Sequence, residues 1–225
     1  MSAKTFLSAD EQAAVSAAIA AAEQRTSAEI VCALATESGR YDRAEALLGL
    51  ICALLGLLGV NLLTEGASGG GSWEEAARIP YALQAAGVAL GFLAGNVLAS
   101  FVHPLRRIFV GAGEIEAEVA RAASHVFVGQ RLASTRAKGG VLLYVSLFER
   151  RVLVLADEGA FAVLGQEGVD ALRDQAIAKL RAGERAATFQ ETVAAIAERL
   201  ASALPCEADD ANELADELLV YHPRP

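Results

Sequence analysis

Along the chain the spacing of apolar positions changes character several times, and each change marks an element. Ser8 followed by Glu11 has the form of a capping box, and Val15, Ile19 and Ala22 recur behind it at helical spacing, predicting a helix to about Gln24. The run from Ser27 to Thr36 (SAEIVCALAT) predicts a strand built on Ile30, Val31 and Leu34. Ile115, Val119, Ala122 and Val126 return to helical spacing and predict a helix over 113–131. Gly140 to Glu149 (GVLLYVSLFE) and Arg151 to Gly159 (RVLVLADEG) are the strongest strand runs, with little more than Arg150 between them, so they should pair as an antiparallel hairpin. Helices with an apolar stripe are expected at about Glu167–Ala182 and Thr188–Leu204. The tail from Pro205 is acidic and ends in a short apolar run, Leu218 to Tyr221.

Two further stretches have no polar face at all. Ala46 to Leu63 contains 18 residues without a charge, and Ile79 to Val102 contains 24. At helical rise they span about 27 and about 36 Å, which brackets a hydrocarbon core of about 30 Å. Long core helices of a soluble α protein are the alternative, but these normally keep a polar side. The linker between the stretches (TEGASGGGSWEEAAR) is short and polar, so the pattern predicts a transmembrane helical hairpin, with Trp73 and Tyr81 as interfacial anchors. Gly87, Gly91 and Gly95 recur every fourth residue, a spacing that lets helix backbones approach closely, either within the hairpin or as a homodimer seam.

Composition supports a membrane protein: 54% of residues are apolar and 21% charged. The net charge of −9 argues against a nucleic-acid partner, because phosphate binding needs a basic face. Arg40 and Arg43 precede the first span and Arg106 and Arg107 follow the second, whereas the linker holds only Arg78. This bias predicts both termini in the cytoplasm of a bacterial cell. The opening segment has no apolar signal region. No charge lies inside either span, which argues against transport. Cys32, Cys52 and Cys206 have neither metal nor disulfide spacing.

The expected organisation is a domain split by the hairpin. Residues 1–45 hold its first helix and strand, 46–102 the hairpin, 103–204 the remainder, and 205–225 the acidic tail. The fold class is α/β, a small mixed sheet sandwiched by helices.

The opening FLSADEQAAVSAAIAAAEQRTSAEIV, the segment RLASTRAKGGVLLYVSLFERRVLVLADEG and the tail DDANELADELL resemble the TPM-domain family, specifically its bacterial membrane-anchored branch. That branch also carries a transmembrane hairpin after the first strand. The resemblance implies a TPM-like sandwich. It leaves function open, since the family includes acid-phosphatase-like thylakoid proteins and others that maintain membrane complexes. Several members carry the domain outside the cytoplasm. Glu158 and Ala160 depart from the family pattern, which commonly has a basic residue and Ile there.

Candidate chemistry is sparse. Asp157 and Glu158 end the last predicted strand, while Arg136 and Lys138 sit in the loop that enters its antiparallel partner, at the same sheet edge. Arg136, Lys138 and Asp157 could bind a phosphate-bearing ligand, or could form a surface ion pair. Gly66–Gly70 matches G-x-S-x-G but lacks the strand-turn-helix setting of a nucleophile elbow. His103 is expected at the membrane exit and His125 partly buried on its helix. His222 stands apart, and no metal spacing appears. Asp209, Asp210, Asn212 and Glu213 offer oxygen ligands but lack a calcium-loop pattern. The expectation is a bilayer-anchored binding or scaffolding protein without a cofactor, working with a membrane-protein partner. A phosphomonoesterase and a membrane-tethered ligand sensor are the alternatives.

Overall fold

The computed structural model describes residues 2–67, 80–101, 107–135, 138–206 and 214–225. The chain divides into two compact units, one formed by Met1–Gly39 with Ile115–Pro225 and the other by Arg40–Glu114. The hairpin unit therefore starts earlier and ends later than its uncharged spans.

The first unit is an α/β sandwich. Its elements are α1 (Ala9–Glu23), β1 (Ile30–Ala35), α4 (Ala112–Gly129), β2 (Val141–Ser146), β3 (Arg151–Ala156), α5 (Glu158–Ala182), α6 (Arg185–Leu200) and β4 (Leu219–Tyr221). The capping box of α1 forms as the sequence requires: the Ser8 side chain accepts the Glu11 N–H, and Glu11 accepts the Ser8 N–H. Val15, Ile19 and Ala22 are its buried face.

The sheet order is β3-β2-β1-β4. β1 pairs parallel with both β2 and β4, and β2 pairs antiparallel with β3. A sheet in which β1 and β2 are buried at every residue must be covered on both faces. Ile30, Cys32, Leu34, Val141, Leu143 and Val145 join the core formed with α1, α5 and α6. Val31, Ala33, Leu142 and Tyr144 alternate onto the other face and are equally enclosed. The buried stripe of α4 (Ile115, Val119, Ala123, Val126) is the remaining apolar helix face of this unit.

Three features differ from the sequence expectation. The run Leu218–Tyr221 supplies a fourth strand on the free edge of β1. The turn between β2 and β3 takes four residues, Leu147–Arg150, with Arg150 at φ 53°. Helix α5 starts at Glu158 and breaks at Gly165 (φ 61°, ψ 177°), so the expected start near Glu167 marks only its second part.

The second unit is a helical hairpin of α2 (Asp42–Ala67) and α3 (Tyr81–Phe101). Both helices are long and apolar enough to cross a membrane. Their glycines face each other. A Cβ on Gly91 would lie 2.3 Å from the Cys52 carbonyl oxygen, one on Gly95 2.7 Å from that of Leu48, and one on Gly87 3.1 Å from that of Gly56. The small-residue stripe is thus consumed inside the hairpin. Its outer surface is bare hydrocarbon, with Leu55 59% and Leu90 67% exposed. Asn61 and Asn96 donate to the carbonyls of Leu57 and Phe92 one turn back, so neither amide faces outward unpaired. Tyr81 is exposed; Trp73 lies outside the described residues.

Candidate functional site

At the amino edge of the parallel strands, β3 ends and α5 begins. Asp157 is the N-cap of α5: its Oδ1 accepts the Ala160 N–H at 3.0 Å and stabilises the helix end. The backbone closes the same corner, with Asp157 N–H donating to Gly140 and Ala160 N–H to Lys138. Asp157 is buried, and its Oδ2 has no hydrogen-bond partner among the described residues. Lys138, with φ 50°, lies 3.9 Å from Glu158, both side chains being largely exposed. A solvated pair of this kind contributes little. The lysine of the predicted trio is thus paired with Glu158, while Asp157 is turned into the helix cap. Arg136 lies outside the described residues.

Because β3 runs antiparallel, this corner is opposite the carboxyl ends of β1, β2 and β4, the edge where parallel strands usually present a ligand crevice. That opposite edge carries a polar network the sequence did not announce. The Glu149 carboxylate, fully buried in the β2–β3 turn, accepts the backbone N–H groups of Ser38 at 2.8 Å and Gly39 at 3.3 Å. Its other oxygen accepts the Ser146 hydroxyl. The Ser38 hydroxyl donates to Ser146 at 2.8 Å and lies 2.9 Å from the Tyr144 hydroxyl. Each hydroxyl has one proton, so the order is fixed: Tyr144 donates to Ser38, Ser38 to Ser146, and Ser146 to Glu149. Burial, with the Glu149 charge nearby, pushes the Tyr144 phenol up to about 12 and keeps it a donor.

Beside this network, Thr36 and Glu37 meet the end of the chain. Thr36 Oγ1 accepts the Ala3 N–H at 2.8 Å and sits 2.9 Å from His222 Nδ1. Glu37 N–H donates to the Pro223 carbonyl, and Arg224 lies 3.6 Å from the Glu37 carboxylate. The hydroxyls, amides and carboxylate of this edge are therefore engaged with one another, which makes it a clamp between distant segments.

A third cluster stands where β1 and β4 begin. Glu23, at the last turn of α1, accepts the Ile30 N–H at 2.9 Å, and Glu29 and Asp216 act on it electrostatically. Asp216, almost two hundred residues from Glu23 in sequence, thus lies within its electrostatic reach.

Among the described residues no group of three or more His, Cys, Asp and Glu is placed to hold a metal ion. His125 is exposed, not partly buried: its helix turns it away from the stripe of Val119 and Val126. The acidic group Asp209, Asp210, Asn212 and Glu213, most of the G-x-S-x-G match and His103 lie outside the described residues. None of the three cysteines is in a disulfide, and burial raises the Cys32 thiol far above its ordinary range, leaving it inert.

No family model matches the chain, and no curated protein matches it. Its structure is similar to the NMR structure of the BA42 protein from the psychrophilic bacterium Bizionia argentinensis, with a TM-score of 0.55 over 95% of this chain and 94% of that one. At 18% identity the likeness concerns the fold alone.

Proposed function

We propose that this chain is a TPM-type domain tethered to a bacterial inner membrane by its helical hairpin, and that it binds membrane proteins during assembly or maintenance of their complexes. The domain and both termini face the cytoplasm in this reading. The observation that carries it is the hairpin seam: the glycines are spent between α2 and α3, which leaves Leu, Val and Phe side chains outward with only lipid chemistry to meet. Arg40 and Arg43 before the first span and Arg106 and Arg107 after the second, against Arg78 alone in the linker, support the orientation. The resemblance of the soluble segments to the TPM family supports the choice of partner class.

Tagged full-length protein purified from membranes in mild detergent, after cross-linking in cells, tests the reading. The expected result is a stoichiometric membrane-protein partner, together with a periplasmic signal from a reporter placed near Ser72. A chain that washes off the membrane in carbonate, or that hydrolyses phosphomonoesters in a way Arg136→Ala abolishes, would overturn it.

A further inference from the structure

The sheet ends at β3, and that end is unguarded. At the opposite edge β4 has three residues, and Pro223 follows two residues after it, both ordinary protections against a further strand. β3 has six residues, Arg151–Ala156. After its first residue it reads Val-Leu-Val-Leu-Ala, with no lysine or proline and an unbroken register.

That register decides which backbone groups are spare. Val141 pairs with Ala156, so Gly140 stands opposite Asp157, and the Asp157 N–H donates to the Gly140 carbonyl. The Val141 N–H is turned the other way, to the Glu29 carbonyl just before β1. Bonding alternates along an antiparallel pair. Arg151, Leu153 and Leu155 therefore bond inward to β2, while Val152, Val154 and Ala156 direct their N–H and C=O groups away from it. These outward groups have no partner among the described residues, although Val152 and Val154 are only 5% and 6% exposed. Unpaired backbone groups with so little access to water are the ones a further strand satisfies.

We propose that two copies of this chain pair β3 to β3, antiparallel about a two-fold axis at Val154, and so join their sheets into one. In this register Val154 exchanges both backbone bonds with Val154 of the other copy, and Val152 exchanges both with Ala156. Every outward residue is used, for about six hydrogen bonds. Val152 meets Ala156 on the core face and Leu153 meets Leu155 on the other, so both faces continue apolar across the axis. The charges select the same register. The segment RRVLVLADE begins in cations and ends in anions, so Arg150 comes opposite Glu158 and Arg151 opposite Asp157 at both ends. Glu158 is exposed, Arg151 is about half exposed, and Asp157 Oδ2 has no partner among the described residues. A slip of two residues either way carries one outward residue past the partner strand and separates the arginines from the carboxylates. Parallel pairing sets arginine beside arginine. The contact is isologous, so it closes at two copies. It is separate from the glycine seam, which is filled within the hairpin, and it does not rest on the domain's proposed role.

The test uses full-length protein in mild detergent, with Cys52→Ala and Cys206→Ser removing the accessible thiols. Leu153→Cys and Leu155→Cys variants are prepared separately, then mixed under a mild oxidant. Non-hydrogen-bonded antiparallel neighbours lie within disulfide reach, so the mixture is expected to form a covalent dimer about tenfold faster than either variant alone. Arg150→Glu or Glu158→Arg, introduced singly into both variants, should slow this reaction, and the double reversal should restore it. Val154→Pro removes only an outward N–H, and native mass spectrometry should find that chain folded and single where the parent is paired. Equal rates in the mixture and in the separate variants would overturn the pairing, as would charge reversals that the double variant does not rescue. A parent chain with the native mass of one copy would overturn it too, leaving the β3 edge to a different protein.

Discussion

The Glu149 carboxylate accepts the Ser38 backbone N–H at 2.8 Å across 111 residues of chain. Ser38 is among the last residues of the domain before the hairpin unit begins at Arg40, and Glu149 belongs to the turn that joins β2 to β3. One buried carboxylate therefore fixes the point at which the chain leaves the sheet for the hairpin unit. Charge-assisted bonds of this kind are the stronger ones, and here the acceptor is fully excluded from water.

Removing that acceptor should be costly. Glu149→Ala leaves the Ser38 and Gly39 N–H groups and the Ser146 hydroxyl unsatisfied, at about 3 kcal/mol. Thermal unfolding of the full chain followed by circular dichroism should register a midpoint lower by about 6–12 °C. Ser38→Ala interrupts the hydroxyl relay while sparing the backbone donors, and a smaller loss is expected.

The hairpin seam predicts a contrast between two glycines. Gly91→Ala places a Cβ at 2.3 Å from a backbone carbonyl that cannot rotate away, whereas Gly59 faces open space. Gly91→Ala should destabilise the hairpin by about 1–3 kcal/mol through overpacking. Gly59→Ala should be neutral or slightly stabilising. Unfolding midpoints in detergent check the pair, and equal behaviour would mean that the helices do not touch along this seam.

Asp157 should behave as a cap. Asp157→Ala is expected to lower stability by about 1 kcal/mol, while Asp157→Asn, which keeps an acceptor for the Ala160 N–H, should lose much less. Chemical denaturation of the two variants separates this role from a ligand-binding one, which would require the charge.

Gly165 sits at φ 61° and ψ 177°, a backbone region essentially confined to glycine, with open space around it. Gly165→Ala should therefore cost about 1–3 kcal/mol by backbone strain alone. A smaller loss, measured by denaturant titration, would mean that the break in α5 moves.

Local rules made much of this protein legible in the sequence. Ser8 and Glu11 specify a helix start within four residues, short runs of apolar and β-branched residues specify β1 to β3, and uncharged length specifies α2 and α3. Whether the glycine stripe served the hairpin or a second copy had no answer in its spacing, because both uses demand the same small residues.

The candidate site was harder to read, for a related reason. Asp157 reads the same way in sequence whether it ends a strand or caps a helix, and Gly165 hid the first turn of α5 by breaking its periodicity. β4 is too short to show a period of its own and becomes a strand only because β1 offers an open edge. Glu149 looked like a strand-end charge; its burial follows from a turn folding onto Ser38, a contact no window of neighbouring residues contains. The sequence determined by itself whatever depends on neighbours within a turn or two: helix starts, strand faces and the apolar length of the hairpin. Which distant groups would meet, as Glu149 meets the Ser38 N–H, was decided only by the tertiary structure, since burial and hydrogen-bond reach depend on distance in space and not along the chain.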